Sequence, residues 1–178
     1  VADIGCGSGY ALMHLAKHYP DSRFVGLDLS EEAIDLATRT ARSRGLTNIR
    51  FEQRDLTHWN PTQTFDLITA FDAIHDQARP DLVLRHIRNA LRKDGVFLMQ
   101  DIKASSRVDG NDFQPMAPFI YTISTMHCMS VSLAQGGIGV GAAWGRELAC
   151  DMLGEAGFRD VDVKELPHDA LNFYFIAR

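Results

Sequence analysis

The apolar residues of this chain change period repeatedly along its length, and that alternation limits the folds open to it. Residues 1–4, 23–29 (RFVGLDL), 48–53 (NIRFEQ) and 65–71 (FDLITAF) read as strands, as do 96–101, 161–165 and 172–177. Helical spacing fills the gaps. In 10–19, Leu12, Leu15, Ala16 and Tyr19 share a face and Pro20 follows. Ser30 is suited to cap the next helix, Glu31 and Glu32 suit its dipole, and Gly45 suits its left-handed end. Further helices are predicted over 80–92 and 144–156, with a long insertion at 102–143 that holds a helix of its own. Strands alternating with helices of this length predict a mostly parallel sheet covered on both faces.

At 178 residues the chain reads as one domain, long enough to close a core without staples. Its 46% apolar and 23% charged content is that of a globular protein, not a disordered or fibrous one. The net charge of −5 comes with no basic stripe, so a small molecule is the expected partner and nucleic acid is not. Three cysteines without a C-x-x-C pair are the usage of a reducing compartment, and a cytoplasmic location is expected. The apolar run 117–133 is broken by Thr122, Ser124, Thr125, His127, Ser130 and Ser132, which argues against a membrane span.

Chemistry-bearing residues gather where predicted strands end. Gly5, Gly7 and Gly9 follow the first strand and open a helix, where bare backbone lets a ligand approach and free N–H groups attract an anion. The spacing G-x-G-x-G differs from the dinucleotide fingerprint G-x-G-x-x-G, which counts against a nicotinamide-dependent oxidoreductase. Asp28 ends the second strand, where a carboxylate can accept from both hydroxyls of a ribose. Asp55 follows the third, and the run Phe71-Asp72-Ala73-Ile74-His75-Asp76 closes the fourth. Open α/β sheets bind ligands at that edge. The spacing of the remaining histidines offers no metal-ligand set, and no metal is expected. A soft metalloid would need several converging thiolates, whereas Cys6, Cys128 and Cys150 fall in different predicted elements.

The stretch VADIGCGSG resembles the first motif of class I S-adenosylmethionine-dependent methyltransferases, in which an acidic residue lies two positions before the first glycine. That resemblance covers nearly the whole chain. It implies a Rossmann-like three-layer α/β sandwich whose seven-stranded sheet has an antiparallel last strand, with a helical insertion after strand five. It implies S-adenosylmethionine as cofactor and S-adenosylhomocysteine as product. By the same resemblance, Asp3 faces the methionine amino group, while Gly5, Cys6, Gly7 and Gly9 form the loop against the methionine portion. Asp28 holds the ribose and Leu29 lies near the adenine; Asp55 and Leu56 meet the adenine, and Phe71 and Asp72 lie beside the sulfonium. The segments AFDAIHDQ, GVFLMQDIKASS, STMHCMSVSLAQGG and WGRELACDMLGEAGF resemble a subgroup with a winged-helix-like N-terminal domain, so an upstream region is expected.

The implied reaction is in-line methyl transfer to an oxygen or nitrogen of a small-molecule acceptor. His75 and Asp76 are the candidate catalytic residues, because a histidine there can take a proton from the acceptor. The insertion is read as an apolar lid with Met116, Tyr121 and His127 as pocket residues, or else as a homodimer contact. Two alternatives stay open: a non-catalytic S-adenosylmethionine sensor, and an aminopropyl transferase drawing on Asp72, Asp76 and Asp101.

Overall fold

The computed structural model describes residues 1–112 and 114–178. Among these, seven strands form one sheet: β1 (Ala2–Ile4), β2 (Phe24–Asp28), β3 (Ile49–Gln53), β4 (Phe65–Phe71), β5 (Leu91–Ile102), β6 (Val161–Leu166) and β7 (Asp169–Ala177). Their spatial order is β3-β2-β1-β4-β5-β7-β6. The first five run parallel, and β7 is antiparallel to both β5 and β6, as the resemblance implies. The winding reverses between β1 and β4, and such a switch point opens a crevice at the strands' C-terminal ends.

Six α-helices connect these strands among the described residues: α1 (Tyr10–His18), α2 (Glu31–Ser43), α3 (Pro80–Ala90), α4 (Ala117–Ile123), α5 (Met129–Ala134) and α6 (Gly145–Glu155). A π-helical turn, Ser124–Cys128, joins α4 to α5 inside the insertion. Ser30 caps α2 as expected, its Oγ accepting from the Ala33 N–H at 3.2 Å. The main core packs Ile4, Leu27 and Ile68 of the central strands with Val83, Leu84 and Ile87 of α3 and Leu153 of α6. Leu12 and Ala16 of α1 close a smaller cluster on Phe24.

Two strands start earlier than the periodicity indicates, β7 at Asp169 and not at 172, and β5 at Leu91 and not at 96. The helix read over 80–92 stops at Ala90, because Leu91 is already extended (φ −72°, ψ 139°) and pairs with Phe65. The next pair is Leu67 with Val96, so residues 92–95 bulge out of the ladder. The expected turn at Asp94-Gly95 survives as that bulge.

Gly9, at the N-terminus of α1, has φ +72°, and a Cβ there would lie 2.3 Å from the Phe51 ring. Gly45, past the end of α2, has φ +69° with nothing within 4 Å of such an atom. Gly45→Ala should therefore cost only the left-handed conformation, about 1–2 kcal/mol. Gly9→Ala should cost roughly 1–3 kcal/mol more, the range for an overpacked core, in urea unfolding of the two variants side by side.

Candidate active site

Parallel pairing with β2 and β4 leaves all three residues of β1 buried at the centre of the sheet. The chain leaves β1 through Gly5 and Cys6, whose N–H groups both donate to the Leu27 carbonyl, at 2.8 and 3.1 Å. Asp28, one residue on, straps the loop: Oδ2 accepts from Gly7 N at 2.8 Å and Oδ1 from Ser30 N at 2.9 Å. A carboxylate has about four acceptor sites, so two of these bonds leave capacity on each oxygen.

A crevice of about 360 Å³ opens beside this loop. Its walls bring together Gly5, Asp28, Leu29, Asp55, Leu56, Asp72 and Asp76, seven of the residues singled out from the sequence. Arg54, Thr57, Gln77, Ala78, Val131 of α5 and Gln135 just past its end line it as well, none of them expected there. The i, i+4 spacing of Val131 and Gln135 would have placed them on one helix face, but not against this site. The insertion is fastened here, since Ser132 Oγ donates to the Gln77 carbonyl at 2.9 Å and Ile138 N to that of Ala78 at 3.0 Å.

The residues expected beside the adenine have local partners. Asp55 caps a short 3₁₀ turn, accepting from Thr57 N at 2.9 Å, Thr57 Oγ1 at 2.6 Å and facing His58 Nδ1 at 2.9 Å. The Thr57 hydroxyl, ahead of the other contacts, holds its carboxyl below the usual carboxylate range. Leu29 is half exposed and Leu56 buried.

Asp3 lies beneath the loop at 2% exposure, its Oδ1 accepting from Thr69 Oγ1 at 2.6 Å. Burial pushes its pKa up to about 7, against the pull of the Thr69 bond and with a further push from Asp28. Cys6 is part-buried, and burial raises its thiol far above the ordinary value, which makes it an inert neighbour. Gly7, Gly9 and Phe71 belong to the loop and to the end of β4, not to the crevice wall itself.

On the other side, Asp72 sits in a left-handed conformation (φ +49°), a strained state for a non-glycine residue that often accompanies function. Gln100 Nε2 donates to its Oδ2 at 2.8 Å, and burial raises its pKa, helped by Asp101. His75 is 3% exposed and lies under Asp76. Its Nδ1 meets Asp101 Oδ1 at 2.7 Å and its Nε2 lies 3.3 Å from Asp76 Oδ1. Burial opposes a charge on the ring, yet the adjacent Asp101, aided by Cys128 and Asp76, holds the His75 pKa well above the ordinary histidine value. Cys128 is buried and reaches this group, whereas His127 is exposed. Met116 is 38% exposed, and the Tyr121 hydroxyl accepts from Asn111 Nδ2 at 2.9 Å, so neither lines the crevice.

Residues 1–135 match the model of a family described as "Methyltransferase domain". The chain belongs to that methyltransferase-domain family. It is 29% identical over 103 residues to a fatty-acid O-methyltransferase of Mycolicibacterium smegmatis, a match covering 58% of this chain and 37% of that protein. It is 28% identical over 102 residues to the (S)-coclaurine N-methyltransferase of Thalictrum flavum, covering 57% of this chain and 28% of that one. The chain thus spans well under half the length of these relatives. Among solved structures, a SAM dependent methyltransferase from Aquifex aeolicus superposes with a TM-score of 0.71 over 99% of this chain and 79% of its own, at 20% identity. That likeness bears out the Rossmann-like fold.

The buried Asp3 carries a pH signature. Because its folded pKa is raised above the unfolded value near 3.8, the folded chain holds this proton longer, and stability is lost as pH rises from about 4 to 7. The slope from this group is at most about 1.4 kcal/mol per pH unit. Asp3→Asn should therefore gain on the parent by about 1–3 kcal/mol between pH 5 and pH 8 in denaturant unfolding. Parallel pH profiles for the two proteins would contradict the assignment.

Proposed function

We propose that this domain transfers a methyl group from S-adenosylmethionine to an oxygen or nitrogen of a small molecule. The observation that carries this reading is the strand-end crevice, in which the Asp28 strap and the glycine loop form one wall and Asp55 and Leu56 another. Family membership and the two curated relatives, one acting on an oxygen and one named for a nitrogen, support it. When bound, the cofactor supplies a methyl group activated by a sulfonium. The chain's own residues then have distinct tasks. Asp28 accepts from the ribose hydroxyls through its remaining lone pairs while its other bonds fix the loop. Asp3 supplies a buried carboxyl under the methionine end, whose ionised form a bound ammonium would favour. Leu29 and Leu56 flank the adenine, with Asp55 at its exposed edge.

The acceptor belongs on the Asp72 and Asp76 side, where Asp76 lines the crevice and the buried His75 ring lies 3.3 Å behind it. Positioning is the larger contribution, since aligning two reactants replaces a costly encounter. The insertion acts as the cover, fastened at Gln77 and Ala78. Its exposed Phe119, Met126 and Leu133 are the apolar face that a second copy would meet in a homodimer. Three cysteines without a disulfide support a cytoplasmic setting, and among the described residues no helix is long and apolar enough to cross a membrane.

Calorimetric titration of S-adenosylhomocysteine tests the reading. Saturable binding is expected, weakened by about 1–3 kcal/mol in Asp28→Ala, the scale of a lost charged hydrogen bond. A folded parent protein that takes up no S-adenosylhomocysteine would overturn it.

A further inference from the structure

The residues that meet behind Asp76 come from distant parts of the chain. His75 and Asp76 follow β4, and Cys128 ends the π-helical turn of the insertion. One imidazole nitrogen, one carboxylate oxygen and the Cys128 sulfur all lie within 4.8 Å of one another. A π turn carries an extra residue per turn, which rotates the following side chains; here Cys128 is buried while His127 remains exposed.

The hydrogen bonds around this trio are incomplete in an informative way. His75 commits Nδ1 to Asp101 Oδ1 at 2.7 Å, and Asp101 is fixed in turn by the Ile102 N–H at 2.8 Å. The other ring nitrogen, Nε2, faces Asp76 Oδ1 at 3.3 Å, and the Cys128 thiol is within bonding reach of the ring as well. A charge-assisted N–H to carboxylate bond closes to about 2.7–2.9 Å. This pair does not, and Asp76 Oδ1 is buried without a hydrogen-bond partner among the described residues. A separation of about 3.3 Å is instead the edge expected between nitrogen and oxygen ligands of a tetrahedral ion with bonds near 2.0–2.1 Å. Among the described residues the ion pairs of His75 are with Asp76 and Asp101, so two carboxylates share one imidazole. A divalent cation would balance that charge.

We propose that His75 Nε2, Asp76 and Cys128 Sγ bind a borderline divalent metal ion of the zinc class at the acceptor edge of the crevice. The donor set selects it: a thiolate and an imidazole suit zinc, whereas magnesium and calcium take oxygen. Asp101 supplies the outer-shell carboxylate that fixes the tautomer and orientation of a ligating histidine. Three protein ligands leave a coordination position open, as in sites that handle a substrate, and Asp76 connects the cluster to the crevice wall. Closing the trio on an ion takes a shift of order 1 Å at Cys128, within the insertion. Binding requires the thiol and imidazole to release any protons they hold. The site adjoins the region assigned to the acceptor, but its test reads the cation alone, so failure of cofactor binding and failure of metal binding are separate results.

The test uses the full chain without an affinity tag, stripped with a chelator and titrated with Zn²⁺ against a chromogenic competitor and, separately, with Co²⁺ followed by absorption. One equivalent should bind, with a thiolate-to-cobalt charge-transfer band. Cys128→Ser should abolish that band and weaken Zn²⁺ at least 100-fold, whereas Cys150→Ser on α6 should change neither. Asp101→Asn, which touches no ion, should weaken it about 10–100-fold. Asp76→Asn, at a half-buried position, serves as the second ligand variant should Cys128→Ser fail to fold, as judged by near-ultraviolet circular dichroism. No saturable binding to the folded parent, or binding indifferent to the ligand substitutions, overturns the proposal.

Discussion

The pairing of β1 with two neighbours at once is the constraint on which the rest of the molecule depends. Three residues, Ala2 to Ile4, hydrogen-bond to β2 on one side and β4 on the other, with no exposed face. Because both ladders are parallel, the loops after β1, β2 and β4 emerge at one edge of the sheet. Gly5 and Cys6 then share the Leu27 carbonyl, so the glycine loop is tied to the end of β2 before any side chain acts. The crevice follows from backbone geometry, and the aspartates only furnish it.

Those aspartates divide by how fully they are satisfied. Asp28 and Asp55 both accept from backbone N–H groups, Asp28 from Gly7 across the loop and from Ser30, and Asp55 from Thr57, so their geometry is fixed without a ligand. Asp76 and Asp101 each keep a buried oxygen with no partner among the described residues. Buried polar groups left in that state are uncommon in native structures and call for a counterpart. One side of the crevice is thus preorganised, while on the other two buried carboxylate oxygens are unpaired among the described residues.

Much of this was legible because it is local. Ser30 caps α2 and β4 spans 65–71, as periodicity and capping rules indicate, and strand-end positions alone gathered Gly5, Asp28, Asp55, Asp72 and Asp76 around one crevice. The boundary at Ala90 was not legible, since Leu91 and Arg92 continue a helical pattern and only pairing with Phe65 draws the chain into extended form. The role of Cys128 was hidden for a different reason. Helical spacing assumes 3.6 residues per turn, and the π turn breaks that count, so the sequence does not show that Cys128 turns inward while the adjacent His127, read as a pocket residue, stays exposed. Likewise no local signal joins His75 to Asp101, 26 positions away.

The sheet's order also sets when its halves can be completed. Among the described strands β6 pairs only with β7, and β7 lies between it and β5. Residues 169–177 therefore have to be synthesised before β6 can join, and until then β5 presents an unpaired edge. The half carrying the glycine loop relies on strands made earlier and can assemble first. The strands flanking the glycine loop thus all precede the antiparallel neighbour that lies beside Asp101, an order of completion set by the connectivity.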